Sequence, residues 1–252
     1  MAFQALILLI IIFALTSAVG VVTGSNSLIT VPVMIQFDID PRMAVATNMF
    51  GLTFMSIGGA IPFLKQGVFD KKRLPVLVSL TLVGSTLGAI LVGLISSKTM
   101  PIIVSVSMIV VTVFTLVNPG AGVKKQESVS RLAITATYVL TFLLGIYGGL
   151  YSGGYITMLT AIYVAMYGMT FTEAVANTKI INVFSSLVAS VIFAWQGLID
   201  YKLGIILAIT MFISAYVGAR IVTKLNDVWL KRIFLATVLI LAIKIFFDFT
   251  LR

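Results

Sequence analysis

AVATNMFGLTFMSIGGAIPFLKQGVFD at residues 44–70 and AVANTKIINVFSSLVASVIFAWQGLID at residues 174–200 are two copies of one apolar stretch, and they decide the fold. The copies align without a gap at an offset of 130 and share nine identities. The polar and glycine matches are Ser56 with Ser186, Gln66 with Gln196, Gly67 with Gly197 and Asp70 with Asp200. An apolar unit that occurs twice predicts a membrane protein built from two internal repeats.

A polar or glycine-rich break precedes each copy, inside an apolar run. The first break is Gly24, Ser25, Asn26 and Ser27, and the second is Ser152, Gly153 and Gly154. Aligning the breaks with each other requires a three-residue length difference from the register of the repeat. Interrupted hydrophobic segments at corresponding positions of two halves point to a transporter and to its binding site.

The composition excludes a soluble domain. Of the 252 residues, 60% are hydrophobic and 10% are charged, whereas a soluble chain has about 25% charged residues. The net charge of +9 comes from basic residues in short loops between apolar runs, so nucleic acid is not an expected partner. Cysteine and histidine are absent, which removes disulfides, thiolate chemistry and the commonest metal ligands. We therefore expect an all-α, polytopic membrane protein with no metal and no cofactor.

Ten apolar segments divide the chain, and we expect about 8–10 of them to be transmembrane. They are 3–22, 28–37, 44–64, 74–95, 99–117, 132–148, 155–167, 174–195, 203–222 and 228–247. The short segments 28–37 and 155–167 follow the breaks, and each of them either re-enters the membrane or spans it. We predict that each forms a broken-helix hairpin with the segment before it, at 3–37 and 132–167. The first repeat is then 1–117, the linker 118–131 and the second repeat 132–252.

The basic residues favour one orientation of the two repeats. If each hairpin returns to the side it entered from, the repeats are inverted and eleven loop cations fall on one side, with four on the other. The eleven are Lys65, Lys71, Lys72, Arg73, Lys124, Lys125, Arg131, Arg220, Lys224, Lys231 and Arg232, and the four are Arg42, Lys98, Lys202 and Arg252. Parallel repeats give nine against six. The positive-inside rule therefore predicts inverted repeats, a cytoplasmic linker and both termini outside the cytoplasm.

The breaks are candidate anion sites. A helix that starts in mid-membrane points its free N–H groups and its positive dipole end into a cavity. The hydroxyls of Ser25, Ser27, Ser152, Thr30 and Thr157 would add donors there. The alternative is that small residues only let helices pack closely, as they do in other membrane proteins.

Polar residues also open the duplicated helix, as Thr47 and Asn48 in one copy and Asn177 and Thr178 in the other. One turn beyond the loop, their amides and hydroxyls are within reach of a hairpin tip and can bind an oxyanion. They can equally form interhelical hydrogen bonds, and the sequence leaves both roles open.

Lys179 is a charged residue inside the apolar segment 174–195. Its charge is costly in the membrane unless it faces a cavity or a partner, and Asn182 follows on the same helical face. The equivalent position in the first copy is Met49, so the charge is not part of the shared scaffold. A lysine that snorkels to the interface is the alternative. The candidate substrate-binding residues are thus Gly24, Ser25, Asn26, Ser27, Thr30, Thr47, Asn48, Ser152, Gly153, Gly154, Thr157, Asn177, Thr178, Lys179 and Asn182.

The acidic residues argue against an enzyme and against a proton relay. All eight carboxylates lie at loops or segment ends, so no pair of them is placed for catalysis within the membrane. The glycine pairs do not occur in a nucleotide-binding GxxxxGK[ST] motif. We expect neither an enzyme nor a pump driven by its own ATPase site.

The pattern resembles the TauE/SafE family of sulfite exporters over nearly the whole chain. The residues that carry the resemblance are Gly24–Ser27, Leu28–Pro32, Asp38–Pro41, Ala44–Asn48 and Gly67–Asp70, then Ser152–Gly154, Ala174–Thr178, Gly197–Asp200 and Gly218–Arg220. The family more often has glycines where Ser25, Asn26 and Ser27 stand, and a proline where Met158 and Leu159 stand. The resemblance implies export of sulfite or a small organosulfonate across the cell membrane.

Two other functions fit the same sequence: a channel-like anion pore, and a non-transporting membrane scaffold or accessory subunit. The expected partners are the small anionic substrate and the lipid bilayer, with a homodimer as one mode of assembly.

Overall fold

The computed structural model describes residues 3–24, 26–100, 102–103, 106, 129–230, 232–233 and 236. Throughout this part of the chain the regular structure is helical, with no strand. The helices are α1 (Phe3–Thr23), α2 (Ser27–Gln36), α3 (Pro41–Gln66), α4 (Leu74–Leu94), α5 (Arg131–Leu150), α6 (Tyr155–Ala165), α7 (Phe171–Trp195) and α8 (Tyr201–Val222). The prediction of an all-α architecture is confirmed.

Six of these helices, α1, α3, α4, α5, α7 and α8, are long and apolar enough to cross a membrane. Helices α2 and α6 have 10 and 11 residues, and helices of this length are too short to cross a bilayer alone. Most of the predicted segments 99–117 and 228–247, and of the linker 118–131, lies outside the described residues. Large apolar side chains such as Leu15, Leu94 and Val191 are exposed on the outer surface, which suits contact with lipid.

Four of the long helices, α3, α5, α7 and α8, begin at a side chain that accepts hydrogen bonds from the free N–H groups of the first turn. A capping box, which the spacing of Thr170 and Glu173 in the sequence indicates, begins α7: Thr170 accepts from the Glu173 N–H, and the Glu173 carboxylate accepts from the Thr170 N–H. Asp200 caps α8, and Asp40, followed by Pro41, caps α3.

The Asp40 carboxyl has a pKa below its ordinary value. Burial alone raises this pKa, but it is outweighed by hydrogen bonds with the Ser97 hydroxyl and with the N–H groups of Met43 and Arg42, and by the charge of Arg42. The carboxylate therefore stabilises the start of α3 in its ionised form.

The register of the repeat reaches Gly24 and Gly154, and a three-residue length difference lies just before them, because α1 ends at Thr23 and α5 ends at Leu150, an offset of 127. At the constant offset of 130, Gly24 corresponds to Gly154, and both have left-handed backbones with φ of +67° and +75°. Likewise Thr30 bonds Asn48, and at the same offset Thr160 bonds Thr178. No other residue of the two breaks is identical at this offset, so the equivalence of their backbones becomes clear only in the structure.

The most extensive packing joins helices from different halves of the chain. Helix α8 packs on α3 and α1, and α4 packs on α7 and α5, so each contact has a counterpart with the halves exchanged. Helices α3 and α7 pack on each other and are the most buried of the long helices. The hairpin helices α2 and α6 lie against α3 and α7, and this places both breaks beside the two buried helices.

Candidate functional site

The two hairpin breaks are in direct contact with each other. Ser27 Oγ and Ser152 Oγ are 2.7 Å apart, and the Tyr151 hydroxyl donates to the Ser27 carbonyl at 3.0 Å. The Thr157 hydroxyl donates to the Thr23 carbonyl, which ties the start of α6 to the end of α1. The positive ends of the α2 and α6 dipoles are thus brought together.

Gly24 makes the closest approach between the two breaks. A Cβ atom added there would lie 2.4 Å from the Cβ of Ile156, and the backbone has a φ of +67°. Only glycine satisfies both the conformation and the spacing. The break in the first repeat is therefore shaped to pack on the break in the second.

A small cavity lies between the breaks and helices α3 and α7. Its volume is about 10 Å³, which is room for about one water molecule. The predicted site residues that line it are Gly24, Asn26, Ser27, Ser152, Lys179 and Asn182. The lining therefore comes from both halves of the sequence.

Lys179 supplies the charge of this cavity. Its side chain is 2% exposed, so it does not reach solvent, and its Nζ donates to the Gly20 carbonyl at 2.8 Å. Within the described residues no carboxylate lies within salt-bridge distance of Nζ, and no group of His, Cys, Asp or Glu could hold a metal. A buried ammonium without a counter-ion is costly, and an anion in the cavity would remove that cost.

A chain of hydrogen bonds orients the hydroxyls toward the cavity. Thr30 donates to Asn48 Oδ1 at 2.8 Å, and this fixes the amide so that Asn48 Nδ2 donates to Ser27 Oγ at 2.8 Å. Because Ser27 already accepts this bond, its own proton can go to Ser152 Oγ, 2.7 Å away. The Ser152 hydroxyl can then donate its proton to an acceptor in the cavity.

The Asn182 side-chain amide is hydrogen-bonded at its nitrogen but not at its oxygen within the described structure. Its Nδ2 donates to Ser56 Oγ at 2.6 Å, and Ser186 donates to its backbone carbonyl. Its Oδ1 is buried and has no hydrogen-bond partner among the described residues. An unsatisfied buried polar atom beside a cavity indicates a site for a bound group.

Thr47 and Asn177, at equivalent positions, lie away from the cavity and bond backbone of the opposite half. The Asp200 N–H donates to Thr47 Oγ1 at 3.0 Å, and the Asp70 N–H donates to Asn177 Oδ1 at 3.3 Å. These are the interhelical contacts that the sequence left open as the alternative role.

The remaining predicted residues surround the cavity without lining it. Thr178 shares a hydrogen bond with Thr160, the Gly153 carbonyl accepts from Tyr147, and Thr30 and Asn48 act through the chain of bonds described above. Gly154 forms the left-handed turn before α6, and Thr157 holds Thr23. Ser25 lies outside the described residues.

Three apolar residues that the sequence did not single out complete the lining: Leu52, Met55 and Ile156. Apolar side chains carry no chemical signal in an apolar segment. Leu52 could have been found through the repeat, because it is the counterpart of Asn182 at the offset of 130.

Comparison with known proteins gives one consistent result. A family model described as "Sulfite exporter TauE/SafE" matches residues 8–245. The "Probable membrane transporter protein ORF9" of Sinorhizobium sp is 24% identical over 249 residues, which is 98% of this chain and 95% of that protein. "Probable membrane transporter protein YfcA" of Escherichia coli K12 is 20% identical, covering 90% of this chain and 84% of that one.

A relative from Bacillus subtilis, "Probable membrane transporter protein YdhB", is 21% identical over 90% of this chain and 94% of its own length. No solved structure gave a significant match.

Proposed function

Because the chain belongs to the sulfite exporter TauE/SafE family of membrane transporters, we propose that it exports sulfite or a small organosulfonate through the cavity between the two breaks. The observation that carries the proposal is Lys179, a buried cation without a carboxylate partner in the described chain, lining that cavity. Its ammonium has three protons, and one of them is used by Gly20. The others can be donated to an oxyanion.

The other polar groups of the cavity suit the same kind of substrate. When Ser27 donates to Ser152, the Ser152 hydroxyl can donate its own proton to the substrate. The first turns of α2 and α6 contribute N–H groups and positive dipole ends. Sulfite and sulfonates present several acceptor oxygens around one sulfur atom. Donors that converge from two helices and one lysine match such a group.

We place the protein in the cell membrane as a pair of inverted repeats, with both termini outside the cytoplasm. The asymmetric distribution of loop lysines and arginines supports this orientation. The exchanged packing, in which α8 joins α1 and α3 while α4 joins α5 and α7, supports a site between the repeats.

The small size of the cavity favours a carrier over the channel-like alternative. It has room for about one water molecule, and a sulfite ion is considerably larger. The hairpin tips must therefore separate to admit the substrate. A permanently open pore would have a passage at least as wide as the ion.

The test is transport of labelled sulfite in proteoliposomes that contain the unaltered chain or the Lys179→Met variant. Methionine is the residue at the equivalent position 49, and its unbranched side chain is only one atom shorter. Losing a charge-assisted hydrogen bond of about 1.5–3 kcal/mol should weaken transport at low sulfite roughly tenfold to a hundredfold. The control is Lys65→Met, which removes the same charge from an exposed position.

Saturable sulfite flux that Lys179→Met reduces and Lys65→Met leaves unchanged would support the proposal. Flux that rises linearly with sulfite would indicate a pore. Absence of flux for every anion tested, from protein that remains folded and monodisperse, would favour the scaffold and refute the proposal.

A further inference from the structure

We propose that the cavity selects a singly charged oxyanion that carries its own hydrogen-bond donor, such as hydrogen sulfite or a hydroxylated sulfonate, and excludes dianions. This inference rests on the proposed function and specifies its substrate. Two features of the cavity carry it: the number of charges in its lining, and the free end of the Asn182 amide.

The first feature is the single charge of the lining. Among the described residues, the two breaks and helices α2, α3 and α6 contribute only neutral groups to the lining, and Lys179 on α7 is its one titratable residue. One ammonium neutralises one negative charge. A dianion would bring a second charge into a site with no second cation to match it, and an unmatched buried charge is strongly unfavourable.

The second feature is the acceptor that Asn182 presents to the cavity. Its Nδ2 is engaged by Ser56 Oγ at 2.6 Å, which leaves Oδ1 without a partner in the described structure. Lys179 lies one turn earlier on the same face of α7, and its positive charge attracts the oxygen end of the amide rather than the nitrogen end. The cavity therefore combines several donors with one fixed acceptor.

An ion that satisfies every group must be an acceptor on most sides and a donor on one. Hydrogen sulfite meets this requirement, because its acceptor oxygens can face Lys179 and Ser152 while its proton faces Asn182. Sulfite itself, with two negative charges and no donor, fails on both counts. In the same way a sulfonate with a hydroxyl group fits better than the same sulfonate without one.

The proposal has a consequence for energy coupling. When hydrogen sulfite crosses, one proton crosses with it and is released on the other side as the ion equilibrates with sulfite. Export of sulfite is then coupled to protons without any proton carrier in the protein. This agrees with the placement of all the acidic residues at loops and segment ends.

The first experiment measures competition by sulfonates of fixed charge against labelled sulfite in proteoliposomes at constant pH. Isethionate, ethanesulfonate and sulfoacetate are matched in chain length and carry, respectively, one charge with a hydroxyl, one charge without a donor, and two charges. Isethionate should compete roughly twofold to tenfold better than ethanesulfonate, the range expected for one neutral hydrogen bond. Sulfoacetate should compete least.

Replacing Asn182 with leucine, the residue at the equivalent position 52, should bring isethionate down to the level of ethanesulfonate while sulfoacetate stays excluded. The competitor series on the unaltered chain decides the question even if this variant does not fold. Equal competition by sulfoacetate and isethionate would overturn the charge selection. Equal competition by ethanesulfonate and isethionate would overturn the role of the donor.

The second experiment varies the pH on both faces equally at zero membrane potential. Sulfite flux should follow the fraction present as hydrogen sulfite, over and above any change in the flux of labelled isethionate, whose charge is fixed. If both fluxes change alike, the titrating group belongs to the protein and the inference is refuted. Failure of the proposed function looks different, since sulfite would then not be transported at any pH and no sulfonate would compete.

Discussion

Replacing Gly24 with alanine tests whether the two breaks pack as closely as the structure shows. Alanine pays about 1–2 kcal/mol for a left-handed backbone such as the one at φ +67°. Its Cβ would also lie 2.4 Å from that of Ile156, and overpacking of this kind costs about 1–3 kcal/mol. Gly24→Ala should therefore lower the free energy of unfolding by roughly 2–5 kcal/mol.

Gly67→Ala is the matched control, because it isolates the backbone contribution. Gly67 has the same φ of +67°, but a Cβ added there has nothing within 4 Å. This variant should lose only about 1–2 kcal/mol. Unfolding by SDS titration in mixed micelles measures both free energies on the same scale.

A double variant locates the clash. Removing the Ile156 side chain with Ile156→Gly should destabilise the unaltered protein but be tolerated better in the Gly24→Ala background, with a coupling of about 0.5–3 kcal/mol. If Gly24→Ala costs no more than Gly67→Ala and shows no coupling to position 156, the breaks do not pack as described, and the reasoning about the cavity fails with them.

Four further outcomes are expected. Cysteines at the exposed, repeat-equivalent positions Lys72 and Lys202 should differ in intact cells, with only position 202 labelled by an impermeant thiol reagent; equal labelling would contradict inverted repeats. In proteoliposomes at equal pH, efflux of isethionate should rise as the interior is made more negative, by up to about 2.3 kcal/mol of driving force per 100 mV, and voltage-independent efflux would exclude net charge movement. Asp40→Ala should lower the free energy of unfolding by about 1 kcal/mol at neutral pH. Because the folded pKa of Asp40 lies below the ordinary 3.8, this contribution is complete above pH 3.8 and is lost as the pH falls through the folded pKa. A difference in stability that does not depend on pH would contradict this. Ser152→Ala should raise the sulfite concentration for half-maximal transport roughly twofold to tenfold, and an unchanged value would remove its hydroxyl from the site.

The architecture was predictable where the length, apolarity or capping residues of a single segment determine its structure. Long apolar runs gave the spanning helices, and the Thr170 to Glu173 spacing gave the start of α7. The short helices after the breaks also followed from length alone. These features depend on local chemistry, which a single sequence contains in full.

The division of polar residues between the cavity and the scaffold was not predictable. Thr47 and Asn48 are neighbours in sequence, yet one bonds the Asp200 backbone and the other orients Ser27. Helix α3 is buried on most of its circumference, so it has no exposed polar face from which the different surroundings of Thr47 and Asn48 could be predicted. Only the positions of the surrounding helices decide which side chain meets which partner.

The interlocking of the two halves has an evolutionary consequence. A chain in which α8 completes the first half and α4 completes the second is arranged like a symmetric dimer whose subunits have been fused. In such a dimer every residue occurs twice, so a lysine at this position would bring two charges to the shared core. Two copies within one chain can differ, and the present chain has lysine at 179 and methionine at 49. Joining the subunits is what allows a twofold scaffold to hold a single charge.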